Sequence, residues 1–570
     1  MTGYKAKWHV PPQLPPPLLN SYAGLPPFLV QCLHNRGLTD ADQMRRFLAG
    51  EWEEVDPFQI KGMAQAVGRI RQATRDGELI AIYGDFDADG VTGTALLAET
   101  LSAVGARAIP YIPHRVDEGY GLNQAAIIKL ARRGVSLIVT VDCGSRALRE
   151  IDTARSLGLD VIVTDHHSLP AELPPALAVV NTRREDCPYP FKGLSGVGIA
   201  FKLAQALLLV TGQQPLRAQR LSLDEEQLLD LVALGTVADL SPLHEENRYL
   251  VKKGLAQLAR ATRPGVEALM QQARVVPGEL PASTVGYVLA PRLNAAGRMD
   301  HAMLSYSLLM ATSSSQAREL AALLEEKNLA RREVTSRILE AALLQVTGQE
   351  NQFLLFAEGV DYHEGVLGLA AQRLSEEFYR PAVVARTGEE NTVASARSVD
   401  EFDITAALDE CSSLLKRHGG HAKAAGFTVS NDNLPDLRTR LSQIARDHLA
   451  GLDLRPTLRI DAEMSLGDLT PEHFALCRQL EPMGAGNPEP LLLSRDVEVR
   501  DKRLAGDKHL KLTLTDGPFR WDGIAFDRGD QLSRITERID VVYTLYTRNF
   551  HEQDQLQLRI EDFRPSALCR

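Results

Sequence analysis

The sequence predicts an α/β protein: a mostly parallel sheet domain, a long connector helix, a second α/β unit and a small C-terminal β-barrel. Three observations carry this. Between residues about 60 and 260, strand-like apolar runs alternate with helical stretches, a rhythm that gives parallel strands with helices on both faces. From Ser313 to Val346 there are few helix breakers and much Ala, Leu, Glu and Arg. From about residue 456 the segments become short and alternating, as antiparallel barrel strands are. The expected divisions are 1–55, a Pro-rich lead-in with short helices; 56–312, the parallel-sheet domain; 313–348, the connector; 349–452, the second α/β unit; and 453–570, the barrel.

In order, Leu79 to Gly84 is expected as a strand, Val91 to Val104 as a helix and Arg107 to Ile112 as a strand. Asn123 to Arg133 is helical, Ser136 to Val141 a strand, Ala147 to Leu157 helical, and Asp160 to Thr164 and Leu177 to Asn181 are strands. The nearly continuous apolar character of Leu137 to Val141 and of Val161 to Val163 fits strands buried on both sides. Ala311 to Ser315 supplies an N-terminal cap for the connector. The second unit has strands at Phe353 to Ala357, Ala382 to Ala385 and Thr392 to Ala396. The barrel segments are Leu458–Asp461, Leu491–Leu493, His509–Leu514, Trp521–Ala525, Asp540–Leu545 and Gln555–Ile560.

A chain of 570 residues is too long for one core, and 44% hydrophobic with 24% charged residues is ordinary for a globular protein. No apolar run approaches the roughly 20 residues that span a bilayer. Pro11, Pro12 and Pro15 to Pro17 occupy the place where a signal core would sit, so a cytoplasmic protein without a membrane partner is expected. The six cysteines, Cys32, Cys143, Cys187, Cys411, Cys477 and Cys569, form no CxxC pair, which argues against a zinc knuckle and for reducing surroundings. A net charge of −11 speaks against a protein that coats nucleic acid, but not against a nuclease, because ligand acids raise the negative count and bound cations reverse the local field.

The chemistry lies where apolar segments end. Asp85-Phe-Asp87-Ala-Asp89-Gly90 follows the first strand, Asp142-Cys143-Gly144 the third, Asp165-His166-His167 the fourth, and Asp239 the apolar run Leu231 to Val237, a helix or a strand. Open α/β sheets place their sites at the carboxyl edge of the strands. If the first motif is extended, Asp85, Asp87 and Asp89 converge on one side. An acidic surface turn is the plain alternative, and three alternating acids in an apolar context make it the weaker reading. Asp142 alone reads equally as a helix cap, and Asp239 as a turn acid. Adjacent histidines rarely serve a core; one is suited to ligate metal while its neighbour orients a ligand or donates to substrate. Together, six carboxylates and two imidazoles suit two manganese- or magnesium-like cations about 3.5–4 Å apart, the arrangement for in-line displacement at phosphorus. The reading is a metal-dependent phosphoester hydrolase.

These motifs, with Gly235-Thr-Val-Ala-Asp239, resemble in order those of the DHH phosphoesterase superfamily. Pro291-Arg-Leu-Asn-Ala-Ala-Gly-Arg298 and Gly419-Gly-His-Ala-Lys-Ala-Ala-Gly426 extend the resemblance to its bacterial exonuclease branch, specific for single-stranded DNA, over nearly the whole chain. The resemblance implies a DHH-type sheet domain, a DHH-associated second domain and an OB-like barrel. It implies 5′-to-3′ hydrolysis of single-stranded DNA to 5′-mononucleotides in recombination and repair, with two Mn2+ or Mg2+ ions. It further implies a monomer that meets single-strand-binding protein and a RecQ-type helicase.

Carried over by position, the metal ligands are Asp87, Asp89, Asp142, His166 and Asp239, with Asp85 and His167 beside them. The catalytic set is Asp87, Asp89, Asp142, His166, His167 and Asp239. Many DHH relatives have a histidine where this chain has Tyr83, so the division of ligands between the metals stays open. Substrate contacts are expected from Arg292, Asn294, Arg298, Ser395, Arg397, Gly419, Gly420 and His421. For Arg292, Asn294 and Arg298 a buried ion-pair network is the alternative; for Gly419 to Gly426, a tight helix start. Gly193-Leu-Ser-Gly-Val-Gly198 is expected to serve helix–sheet packing rather than phosphate, and Gly119 to Asn123 a turn near the site. On the barrel, Lys502, Arg503, Lys508 and Lys511 supply charge, and Phe519, Trp521 and Tyr543 are candidate stacking rings, although each ring is more often core. A hydrolase of small phosphoesters or short oligonucleotides is the alternative, and the extra barrel argues against it. A scaffold that has lost its ligands is a third reading, and the intact ligand set argues against that.

Overall fold

Five parallel strands form the first sheet: β1 (Leu79–Gly84), β2 (Arg107–Tyr111), β3 (Val135–Val141), β4 (Asp160–Thr164) and β5 (Ala178–Val180), in the spatial order β2-β1-β3-β4-β5. This is a computed structural model, and it describes residues 6–22, 24–215, 223–348, 352–506, 508–550 and 553–566. The strand order reverses between β1 and β3, so the crevice beyond their carboxyl ends is the switch point where open sheets bind ligands. Alternate residues of β1 enter separate cores. Ile80 and Ile82 join one cluster, and Ala81 and Tyr83 the other, so both faces of the sheet are covered.

Three helices frame the crevice. They are α1 (Ala88–Ala103), α2 (Gly196–Gln213) and α3 (Leu229–Ala238). α1 begins earlier than its apolar pattern implies, because the Asp87 carboxylate caps it by accepting from the amides of Asp89 and Gly90. The acidic motif is therefore not extended, and its acids converge through a helix start rather than through strand alternation. The fourth apolar run is the helix α3, not a strand, and Asp239 is its C-cap. At 18 residues, α2 is long and apolar enough to cross a membrane; 67% of it is buried in this protein, and that burial accounts for its apolar composition.

α4 (Ala290–Met299) and the 33-residue α5 (Ser314–Val346) follow, the latter capped by the Ser313 side chain on the Gln316 amide. The second sheet is mixed, with β6 (Leu355–Gly359), β7 (Ala382–Thr387), β8 (Asn391–Arg397), β9 (Leu415–His421) and β10 (Ala424–Ser430) in the order β9-β10-β8-β7-β6. The glycine-rich segment from Gly419 is thus a β-hairpin, with Gly419 opposite Gly426, and not a helix start.

The C-terminal strands are β11 (Leu492–Ala505), β12 (His509–Asp516), β13 (Phe519–Ala525), β14 (Arg538–Phe550) and β15 (Gln553–Pro565). Their order is β11-β12-β13-β15-β14, and pairing of β11 with β14 closes the barrel, with β13 parallel to β15. Residues 1–51 group with 453–483 and 487–570 in one compact unit, and residues 52–452 with 484–486 form the other. The Pro-rich lead-in contributes strand Lys7–His9, paired in parallel with Thr457–Arg459, and Arg36, whose guanidinium meets Asp461 at 2.6 Å.

Candidate active site

Each acid is held by a different local device. Asp87 is the cap of α1. Asp89, in the first turn, accepts from the amides of Gly196 (2.7 Å) and Val197 (2.8 Å) at the N-terminus of α2. The Gly193–Gly198 loop therefore cradles a carboxylate by the same electrostatics that would hold a phosphate. Asp142 ends β3 in the left-handed region, φ 62°, pinned by its amide on the Thr164 carbonyl and by the Tyr120 hydroxyl on its own carbonyl. Asp239 sits where the helix dipole disfavours a negative charge, steadied by the Ser241 hydroxyl at 2.5 Å. An acid kept there needs a compensating cation.

Asp165 is not free to ligate. One of its oxygens accepts from the amides of His166 and His167 and lies 2.8 Å from His167 Nδ1; the other accepts from the Ser145 amide. It is a positioning residue for the two imidazoles. His166 Nε2 lies 3.0 Å from Asp142 Oδ1, 3.9 Å from Asp239 Oδ1 and 4.0 Å from Asp89 Oδ2. Three sets of ligand atoms converge: Asp142 with His166 and His167, Asp89 with His166 and Asp239, and Asp85 with Asp87 and Asp142. The sets share His166 and Asp142, as neighbouring cations with a common ligand would.

The electrostatics fit metal. Burial, then the charge of Asp87, lifts Asp85 to about 8. Burial and Asp87 lift Asp239 to about 7, and burial with the crowd of acids holds Asp89 and Asp142 well above the usual carboxylate range. Burial, then His167, brings His166 down to about 3, leaving a neutral imidazole of the kind metals bind. Asp85 Oδ1, Asp142 Oδ1 and both His166 ring nitrogens are buried without a hydrogen-bond partner. Divalent cations would satisfy these atoms and offset the repulsion among the acids. Tyr83 takes no part. Its hydroxyl donates to the Gly121 carbonyl and its ring stacks on Tyr111 in the opposite core.

A cavity of about 730 Å³ opens beside the acids, lined by Tyr120, Ser145, Arg146 and His167 from the first domain and by Ser395, Arg397, Arg417, Gly419, Gly420 and His421 from the second. The His421 ring lies parallel to that of His167 at 5.9 Å. Gly419 leaves open space at the hairpin, whereas at Gly420, φ 154°, a Cβ would meet the Ala424 carbonyl at 2.3 Å.

The α4 motif divides. Arg292 pairs with Glu325 on α5 (2.6 Å) and donates to the Val288 carbonyl, as the ion-pair alternative has it. Asn294 accepts from the Ala88 amide at 2.8 Å and so fixes the acidic turn. Arg298 joins Arg115 and Arg397 in a group whose guanidiniums burial pushes down, with repulsion from Arg115 adding to the effect on Arg397 and on Arg298, which falls to about 9; Asp85 and Asp87 oppose the shift of Arg115. Arg115 lies over the Phe86 ring at 3.9 Å with a buried Nε lacking a partner. Sequence reasoning missed Arg115 and Arg146; Tyr120 was signalled only by its flanking glycines. On the barrel, Tyr543 is core, its hydroxyl 3.0 Å from Ser494 Oγ, and Trp521 donates to the Leu466 carbonyl, while Phe519 is exposed. Lys502 donates to the Ile535 carbonyl, Lys508 is exposed, and Arg503 stands directly opposite Lys511 across β11 and β12.

Residues 79–236 match the model of the DHH family, N-terminal domain; 351–447 match the DHHA1 domain; and 460–562 match the RecJ OB domain. Fold and site thus define a DHH-type architecture with its DHHA1 partner and an OB barrel. The single-stranded-DNA-specific exonuclease RecJ of Bacillus subtilis is 39% identical over 99% of this chain and 71% of that protein, and that of Escherichia coli 35% identical over 95% and 96%. The crystal structure of RecJ in complex with Mn2+ from Thermus thermophilus superposes with a TM-score of 0.85 at 28% identity, covering 98% of this chain and 80% of that one. The chain belongs to the RecJ family.

Proposed function

We propose that the protein is a metal-dependent exonuclease that hydrolyses single-stranded DNA from the 5′ end to 5′-mononucleotides, in recombination and repair. The observation that carries this is the convergence of Asp85, Asp87, Asp89, Asp142, His166 and Asp239, with buried partnerless atoms on Asp85, Asp142 and His166, beside a cavity lined by the second domain's hairpin. Those six side chains would hold two Mn2+ or Mg2+ ions, which supply Lewis acidity toward the scissile phosphate. The relatives from Thermus thermophilus were solved with each of these ions. His167, held by Asp165, is placed to donate to the substrate, and Gly419, Gly420 and His421 hold it from the other side.

The buried guanidiniums of Arg115, Arg298 and Arg397, with Ser395, form an anion site that suits a terminal phosphate. A phosphate fixed on one side of the metals sets the end from which the enzyme works. Selectivity for single strands follows from the narrow cleft between the sheet domain and the hairpin. The match to the RecJ OB domain favours this reading over a small-phosphoester hydrolase. We extend the proposal to a monomer acting in the cytoplasm with single-strand-binding protein and a RecQ-type helicase; all five described cysteines are free thiols, as reducing surroundings leave them.

The test is digestion of single-stranded DNA labelled at either end, with manganese or magnesium, beside Asp87→Ala. Early release of labelled mononucleotide from the 5′ label alone, lost in the variant, is expected. No cleavage with either metal overturns the proposal.

A further inference from the structure

Two of the acids are tied together by a side chain that bonds to neither. Asp89 and Asp239 share a ligand set with His166, and their charges repel until a cation sits among them. The loops that carry them therefore need another hold. Asp89 is cradled by the loop Gly193–Gly198, and Asp239 opens the turn from Asp239 to Leu243. The helix that this turn leaves holds it weakly. The Leu240 and Ser241 amides reach the Val237 and Thr236 carbonyls only at 3.3 Å, and Leu240 stands at φ 61°.

Asn247 joins the two loops. It lies on the helix Glu245–Ala259, fully buried, and its side-chain amide donates to the Gly193 carbonyl at 2.6 Å and to the Pro242 carbonyl at 3.1 Å. Both N–H groups are thus used, one on each loop. Its own carbonyl oxygen is buried without a partner. An apolar side chain would avoid that cost, so packing alone gives no reason for an amide here. The same loops meet again at the Ser195 and Thr236 hydroxyls, 2.9 Å apart, and a Cβ on Gly193 would stand 3.2 Å from Pro242 Cγ.

The turn is also backed by Gly484-Ala485-Gly486, which packs in the same compact unit as residues 52–452. The Ala485 carbonyl accepts from the Leu243 amide at 2.7 Å, and a Cβ on Gly486, φ 74°, would stand 3.0 Å from Pro242 Cβ. The Pro242–Leu243 peptide is therefore gripped by Asn247 at one residue and by Ala485 at the next.

Resting on the metal-ligand reading of these acids, we propose that Asn247 and the Gly484–Gly486 segment are positioning elements for the metal centre. Asn247 fixes the spacing of the Asp89 and Asp239 loops, and the tripeptide backs the Asp239 turn. The centre thereby depends on chain that lies, in sequence, inside the match to the RecJ OB domain.

The test is calorimetric titration of the metal-free, full-length protein with Mn2+, beside steady-state digestion of single-stranded DNA, for wild type, Asn247→Asp and Gly486→Ala. Asn247→Asp keeps the shape and turns two donors into acceptors; Asn247→Ala replaces it if the carboxylate prevents folding. Each variant is expected to bind Mn2+ about tenfold more weakly, as loss of groups that orient ligands does. At limiting Mn2+ kcat should fall and at saturating Mn2+ recover, with KM for DNA unchanged. Glu99→Gln is the control for general loosening. Glu99 pairs with Arg263 about 15 Å along α1 from Asp89, so its loss should lower the melting temperature without changing Mn2+ affinity. Wild-type Mn2+ affinity in a folded variant overturns the role of that residue, and equal weakening in Glu99→Gln overturns both roles. Mn2+ binding by a wild type that digests no DNA overturns the exonuclease reading and leaves the positioning role to the calorimetry.

Discussion

Gly196 offers the sharpest handle on the site, because it touches two of the acids without being one of them. Its amide donates to Asp89 at 2.7 Å, and a Cβ at this position would stand 2.5 Å from Asp142 Cβ, 2.6 Å from its Oδ1 and 2.7 Å from its Cγ. Carbon atoms pack at about 3.5–4.0 Å, so alanine requires a relative shift of about 1 Å. Asp142 has little room to give, since its amide, its carbonyl and its left-handed backbone are each committed. Displacement of a reacting group by about 1 Å costs about 100-fold in rate, and overpacking costs about 1–3 kcal/mol of stability. Gly196→Ala is therefore expected to lower kcat about 100-fold at saturating Mn2+, with weaker Mn2+ binding by calorimetry. Gly198→Ala, one half-turn along, is the control. Its nearest contacts would be the Leu194 and Ser195 side chains at 3.3 Å, a few tenths of an ångström of adjustment. A folded Gly196→Ala enzyme within about threefold of wild type would refute the argument that this close approach sets the ligand geometry.

Removing metal should invert the usual pH dependence. Carboxylates raised to about 8 (Asp85) and about 7 (Asp239) bind more protons in the native than in the unfolded state, so the chelated protein loses stability as pH rises from about 4 through 8. Thermal melts with and without Mn2+ should diverge across this window, and calorimetry in two buffers should show proton release on metal binding; parallel melts would count against the crowded-acid account. The Asp165–His167 pair has the opposite character. Burial opposes both charges, but their mutual bond raises His167 and lowers Asp165, so the pair stabilises between those two midpoints and is lost as pH rises past the imidazole's or falls past the carboxylate's. In the metal-free protein the His167 midpoint by NMR should drop in Asp165→Asn; an unchanged midpoint would mean the bond does not hold the ring. On the barrel, Arg503→Ala should weaken binding of single-stranded DNA and reduce the salt slope by about one, without loss of stability, since like charges directly opposed across strands repel. A destabilised variant with an unchanged salt slope would assign Arg503 to the fold.

Legibility from the chain depended on whether the information was local. β1 and β4 have the bounds their apolar runs imply, and α5 is capped by Ser313, within the Ala311–Ser315 region expected to cap it, because strand runs and capping are decided within a few residues. Asp142 and Asp165-His166-His167 were legible for the same reason: a parallel strand ends abruptly, and the residues just beyond its end face the crevice. The start of α1 was misplaced because the side chain that caps it, Asp87, belongs to the motif read as extended. The α4 residues were legible as a motif but not in their separate partners. Arg292, Asn294 and Arg298 read as one cluster in the sequence, but rotation around the helix sends Arg292 to Glu325, Asn294 to the Ala88 amide and Arg298 to the buried arginines. Arg115 carries no sequence signal, because its significance comes from Arg298 and Arg397, which lie far away along the chain. Three buried guanidiniums brought together this way repel one another, and each loses hydration. The charges of Asp85 and Asp87 offset part of that cost at Arg115, and an anion such as a phosphate would offset more.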